Sequence, residues 1–204
     1  MVKEKDTTTE NKILIAAADE FISKGLSGAR MQQIADRAGI NKALLHYYYR
    51  SKDKLFEVIF STILKTLVPK IKKIINEDVD LYSKIRNFAN EYITMLQEKP
   101  HIPGFIIHEL GTNPDRLAKI FGKLEIDISY IKDQIREEIK KGNIREIQPE
   151  QLIINLLSLC IFPVIARPLA EPILFSSNKE AYNTMIESRK IEVGDFIINS
   201  IKIK

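Results

Sequence analysis

The chain has 204 residues, 45% of them hydrophobic, enough for one or two domains with a real core. No apolar run reaches 18 residues, which excludes an uninterrupted transmembrane stretch, and the polar start lacks the apolar stretch of a signal peptide. A single cysteine, Cys160, excludes an internal disulfide and is ordinary for a cytosolic protein. The net charge is +4, and residues 11–52 carry all of that excess, with seven Lys or Arg against three acids. A local excess of this kind is the electrostatic footprint of a phosphate-binding module.

Residues 1–9 read as a disordered arm. From about Glu10 to Lys24, Ile13, Leu14, Ala17 and Phe21 recur at helical spacing, and Gly25 stops that helix. The second helix runs from about Arg30 to Ala38, with Ile34, Ala35 and Ala38 as its apolar stripe. Gly39 fits a positive-φ helix end, and Asn41 fits the N-cap of a third helix over 42–48. Leu44 and Leu45 offer apolar contacts to the second helix, while Lys42, His46 and Tyr47 are free to point outward. Two short helices about a tight turn spell a helix-turn-helix, whose second helix enters the DNA major groove. Tyr47, Tyr48 and Tyr49 cannot share one helix face, because successive residues sit about 100° apart. Ser51 caps a fourth helix, and Lys52 in its first turn can meet a phosphate beside free N–H groups.

The fourth helix extends to about Asn76, with Pro69 as a kink or interruption. Further helices are expected at 81–98, 104–110, 114–141, 150–165 and 179–202. Asn113-Pro114 marks one start, Gly142 one end, and Pro163 and Pro168 disturb the end of the helix at 150–165. Gly194 is a weak spot in the last helix. No strand-like alternation and no internal repeat is present. The fold class is all-α, with about nine helices.

Residues 12–60 resemble the N-terminal domain of the TetR-type transcriptional regulators. Ile13-Leu14, Ala16-Ala17, Phe21, Gly25, Ile34-Ala35 and Ala38-Gly39-Ile40-Asn41 carry the likeness. Leu45 through Tyr49, Arg50-Ser51-Lys52 and Leu55 continue it at unbroken spacing. The chain departs from the usual pattern at four positions. Leu44 stands at a usual threonine or serine, His46 at a usual tyrosine, Tyr48 at a usual histidine and Arg30 at a usual threonine. The resemblance implies a DNA-binding head over 1–52, a connecting helix at 52–76 and a helical effector-binding and dimerisation body over 53–204. It implies a cytoplasmic homodimer joined through its last two helices, binding a double-stranded operator and released by a small, largely apolar effector. Arg30, Gln32, Gln33, Asn41, Lys42, His46, Tyr47, Tyr48 and Lys52 are the expected DNA-facing residues. Tyr92, Met95, Phe105, His108, Tyr130, Cys160 and Phe162 are the expected effector-pocket residues, although each also fits an ordinary core position.

Neither catalysis nor a cofactor is implied. His46, His101 and His108 do not form a close metal cluster, and the sequence has no phosphate-binding glycine loop and no convincing triad. The second reading is a helical protein-interaction adaptor of the same fold that does not bind an operator.

Overall fold

The computed structural model describes residues 2–99 and 101–203, without the side chains of residues 2–7, 66, 67, 101 and 105. Ten α-helices and no strand occur among the described residues. They are α1 (Val2–Gly28), α2 (Met31–Ala38), α3 (Lys42–Tyr48), α4 (Lys52–Asn76), α5 (Leu81–Glu98), α6 (His101–Thr112), α7 (Pro114–Gly122), α8 (Ser129–Lys140), α9 (Pro149–Phe175) and α10 (Lys179–Ile201). The all-α plan of a helix-turn-helix head and a larger helical body is the observed one. The helices fall into two compact units, residues 1–66 with 104–125, and residues 67–103 with 126–204. This division differs from a boundary at residue 52, because residues 53–66 of α4 and the segment 104–125 group with the head.

In the first unit, α1 is helical from Val2, so the arm expected over 1–9 is helix from residue 2 onward. Gly25 breaks α1 at φ 64°, ψ 177°, a conformation open to glycine. A Cβ at Gly25 would also overlap the imidazole ring of His108 in α6. Ile13, Ala17, Phe21, Ile34, Ala35, Leu45, Leu55, Phe56 and Phe60 form the buried centre. Phe21 meets Phe56 edge-on at 5.3 Å, and Phe60 lies 6.5 Å from Phe121 of α7. Leu117 and Ile120 bury the inner face of α7. The Arg116 guanidinium lies over the Phe56 ring and 3.6 Å from Asp53 in the first turn of α4. These contacts explain why a segment so distant in sequence joins the head.

In the second unit, α10 packs along α5 and α9. Gly194 lets α10 approach α5 closely, since a Cβ there would sit 3.2 Å from the Arg86 Cα. The helix-propensity cost of a mid-helix glycine is thus offset by packing. One apolar cluster gathers Leu81, Ile85, Ile135, Leu152, Ile197 and Ile201; a second gathers Ala89, Ile93, Cys160, Tyr182, Ile186 and Val193. Buried Lys84 donates 2.9 Å to the Ile75 carbonyl at the end of α4 and lies 4.5 Å from the Tyr130 ring. Its pKa is lowered, chiefly by burial.

The fourth helix keeps its expected extent, with Pro69 inside it. Two expectations change. The single helix expected at 114–141 is two, broken where Glu125 takes φ 47° and Asp127 accepts from the Ser129 N–H at 2.8 Å. The helix expected to end near residue 165 continues to Phe175 through Pro163, Pro168 and Pro172. A proline lacks the N–H that would bond the carbonyl four residues earlier, so Pro163 frees the Leu159 carbonyl. Arg189 of α10 donates to that carbonyl at 2.7 Å, and the Tyr182 hydroxyl donates to the Pro163 carbonyl. Arg189 thereby supplies the donor that the ladder of α9 lacks at Pro163, and Tyr182 adds a further tie to α10. By length and composition alone α9 is apolar enough to cross a membrane, a property that an uninterrupted-run criterion passes over. Within the second unit it packs on α5, α8 and α10 and presents its remaining face outward.

Arg189→Met should destabilise the full chain by about 1–3 kcal/mol, because it orphans the Leu159 carbonyl. In a Pro163→Ala background the restored N–H satisfies that carbonyl, and the same substitution should cost distinctly less. Urea denaturation of the four chains measures both; equal costs in the two backgrounds contradict the assignment.

Candidate nucleic-acid interface

The interface begins with the turn between α2 and α3. Ile34, Ala35 and Ala38 bury one face of α2 against α1. Gly39 then adopts φ 68°, ψ 32°, its N–H reaching the Asp36 carbonyl at 3.2 Å while the Ile40 N–H reaches Ala35 at 3.0 Å. These bonds close the end of α2 and reverse the chain. Asn41 Oδ1 accepts the Leu44 N–H at 2.7 Å and starts α3. Ser51 Oγ accepts the Lys54 N–H at 3.1 Å and starts α4.

Leu45 is fully buried and fixes which way α3 faces. Leu44 does not share that burial; at 36% exposure it lies on the outer side, contrary to its expected contact with α2. At 100° per residue, the direction opposite Leu45 passes between Ala43 and Tyr47, with Leu44 and His46 on either side. All four are exposed, Tyr47 at 81%. The three tyrosines divide as helix geometry requires. Tyr47 is exposed, Tyr48 is half-buried and edge-on to Tyr47, and Tyr49 is buried with its hydroxyl donating to Glu10 at 2.9 Å. Burial and the Glu10 carboxylate raise the Tyr49 pKa.

The other expected DNA-facing residues take different roles in the free protein. Arg30 and Lys42 are exposed. Asn41 is the α3 cap. Gln32 donates to Asp36 at 2.8 Å, and Gln33 accepts from Lys24 at 2.8 Å. Lys52 donates to the carbonyls of Ser27 and Ala29, at 3.3 and 3.0 Å, and so pins the α1–α2 connection to the start of α4. Glu20, unmarked in the sequence reading, is fully buried; Lys24 lies 2.7 Å away and the Arg37 Nε 3.8 Å away. Part of the local positive charge is therefore engaged internally, leaving Lys12, Arg30, Lys42 and Arg50 exposed.

The residues expected to line an effector pocket separate between the units. His108 belongs to the first, lining a cleft of about 260 Å³ with Phe21, Ile22, Ser23, Lys24, Gly25 and Gly104. The side chain of Phe105 lies outside the described residues. In the second unit, Met95 and Cys160 are buried and Tyr92 packs against the cluster that contains Cys160. Burial pushes the Tyr92 hydroxyl and the Cys160 thiol each up to about 12. Tyr130 is partly exposed beneath the Lys84 ammonium, and Phe162 is 68% exposed. A second cleft of about 450 Å³, lined by Lys70, Lys73, Ile74, Glu77, Asn87, Asn90 and Glu91, includes none of the expected site residues. Among the described residues no group of three or more His, Cys, Asp or Glu side chains is placed to hold a metal.

Residues 13–59 match the model of the tetR family of bacterial regulatory proteins. The chain is 29% identical over 142 residues to the HTH-type transcriptional regulator RutR of Escherichia coli, covering 69% of this chain and 66% of RutR, just under two thirds of the relative. Its fold is shared with SCO4942 of Streptomyces coelicolor, at TM-score 0.69 and 18% identity, covering 95% and 98% of the two chains. It is also shared with the transcriptional regulator FadR of Bacillus subtilis in complex with stearoyl-CoA, at TM-score 0.63 and 13% identity, covering 92% and 97%. With the tetR family's head sequence over residues 13–59 and a fold shared with these solved structures along nearly its whole length, the chain resembles the TetR-family regulators.

Proposed function

We propose that the protein is a ligand-responsive, homodimeric and cytoplasmic transcriptional repressor that releases a palindromic operator when a small effector binds. The observation that carries the reading is the outer face of α3. Its leading turn stands free of the core, with exposed cations at Arg30, Lys42 and Arg50 nearby. Lys42, His46 and Tyr47 face bases or backbone; Arg30, Gln32, Gln33 and Tyr48 hold phosphates, and Asn41 sets the first turn of α3. Lys52 spends two of its three N–H donors on carbonyls and keeps one for a phosphate. An adaptor of the same fold would have no use for this charge placement, so the regulator reading is favoured.

Dimerisation is supported by an unpartnered apolar surface on α9 and α10. Ile154, Phe162, Leu169, Ile173, Leu174, Ile191 and Phe196 are each at least 56% exposed. Seven such residues on two helices exceed the scattered apolar exposure of an ordinary monomer. Phe162 belongs in this surface more naturally than in a ligand pocket. The effector site is assigned to the second unit about Tyr92, Met95 and Cys160, where a packed apolar cluster beside a phenol suits a largely apolar ligand. The stearoyl-CoA complex of FadR supports only the capacity of this fold to hold an acyl chain. Effector binding would act by shifting populations between forms that fit and misfit the operator.

Lys42→Ala should lower the slope of log K against log salt by about one unit per head, with thermal stability unchanged. Lys52→Ala should lower the slope and also destabilise the fold, since it removes the clamp on Ser27 and Ala29. An unchanged slope in both variants contradicts the interface. Tyr47→Ala should relax sequence preference at one or two positions, at about 1–3 kcal/mol; a uniform loss across sequences would assign Tyr47 to the backbone instead.

The wild-type chain should sediment as a dimer at micromolar concentration, and Phe196→Asp should give folded monomers. The new carboxylate is solvated in the monomer but buried without a partner in the dimer. A monomeric wild type, or a dimeric variant, contradicts the assigned surface.

A further inference from the structure

The outermost residues of α3 are not the ones that a polar reading of DNA would choose. Ala43 shares the centre of the exposed face with Tyr47, and Leu44 flanks it at 36% exposure. Neither Ala43 nor Leu44 has a side-chain donor or acceptor, so neither can read the hydrogen-bond pattern of a base pair. Both belong to the first turn of α3, the part of a recognition helix that reaches base edges. Asn41 fixes that turn by accepting the Leu44 N–H at 2.7 Å. The turn cannot roll Leu44 inward, because Leu45 already fills the core position.

In the major groove the apolar feature that separates one base pair from another is the C5 methyl group of thymine. We infer that Ala43 and Leu44 form an apolar reading edge that selects thymine in each operator half-site by contact with its methyl group. The inference rests on the proposed DNA-binding function and specifies what the head reads. The charges suit this arrangement. Lys42 precedes the edge, and Arg50 follows α3, so phosphate contacts on the flanks can press an uncharged edge into the groove. Burial of Leu44 and a methyl group against each other replaces two water-exposed apolar surfaces, a gain unavailable at cytosine, guanine or adenine.

The test starts from duplexes enriched by the full-length protein from a random-sequence pool. In the preferred duplex each thymidine is replaced in turn by deoxyuridine, which removes the methyl group and leaves base pairing intact. For the wild type, replacement at one position in each half-site should weaken binding about fourfold per methyl removed, the equivalent of one buried methyl-sized group. Leu44→Ser combined with Ala43→Gly should bind the thymidine and deoxyuridine duplexes equally at that position while keeping the salt dependence. Wild-type affinity that is insensitive to replacement at every thymidine overturns the inference and leaves DNA binding standing. So does full methyl discrimination by Leu44→Ser together with Ala43→Gly. Failure to enrich any duplex overturns the function itself, and the inference with it.

Discussion

At Gly39 the backbone enters the left-handed region, φ 68° and ψ 32°, and the orientation of α3 follows from that one residue. A side chain there would be strained, because L-residues seldom adopt this conformation. The turn closes α2 with two backbone bonds and delivers Asn41 to cap α3. Leu45 then enters the core, and its burial decides that Ala43, Leu44, His46 and Tyr47 face away. The outward face of α3 is thus set by a core contact and two helix ends.

The head is larger than its sequence motif. Segment 104–125 returns to it through Phe121, Leu117 and Ile120, and the His108 ring occupies the notch that Gly25 leaves in α1. Arg116 approaches Asp53 beside Lys52, while Lys52 ties the α1–α2 connection to α4. The first turn of α4 is accordingly held from two sides. The second unit solves a different problem. Its α9 carries three internal prolines, and Arg189 of α10 supplies the donor that the ladder lacks at the first of them.

Much of this was legible in the sequence wherever the determinant was local. Gly39, Asn41 and Ser51 act through residues within a few positions of themselves, and each forms the bond expected of its type. What escaped depends on distant partners or on side-chain direction. Pro163 reads as a helix stop until Arg189, 26 positions away in the sequence, is seen to satisfy the freed carbonyl. The break between α7 and α8 has neither proline nor glycine at Glu125, whose positive φ no composition rule announces. Glu20 looks like an exposed acid by residue type, but it shares the buried face of Ile13 and Ala17 and meets Arg37 of α2. Leu44 and Leu45 are the same residue type at adjacent positions, so only the direction of the helix separates a core contact from an exposed one. His108 stands in an apolar stretch of sequence that suits a body pocket, whereas the fold places it against Gly25.

The central claim is that two copies of α3 occupy the major groove together. Chemical footprinting with dimethyl sulfate, which attacks guanine N7 in that groove, tests it most directly on a duplex enriched by the protein. The account predicts two protected segments related by a two-fold axis and centred about one helical turn, or a multiple of it, apart on one face of the duplex. Protection confined to a single segment, or major-groove guanines that stay fully reactive in a saturated complex, would contradict it.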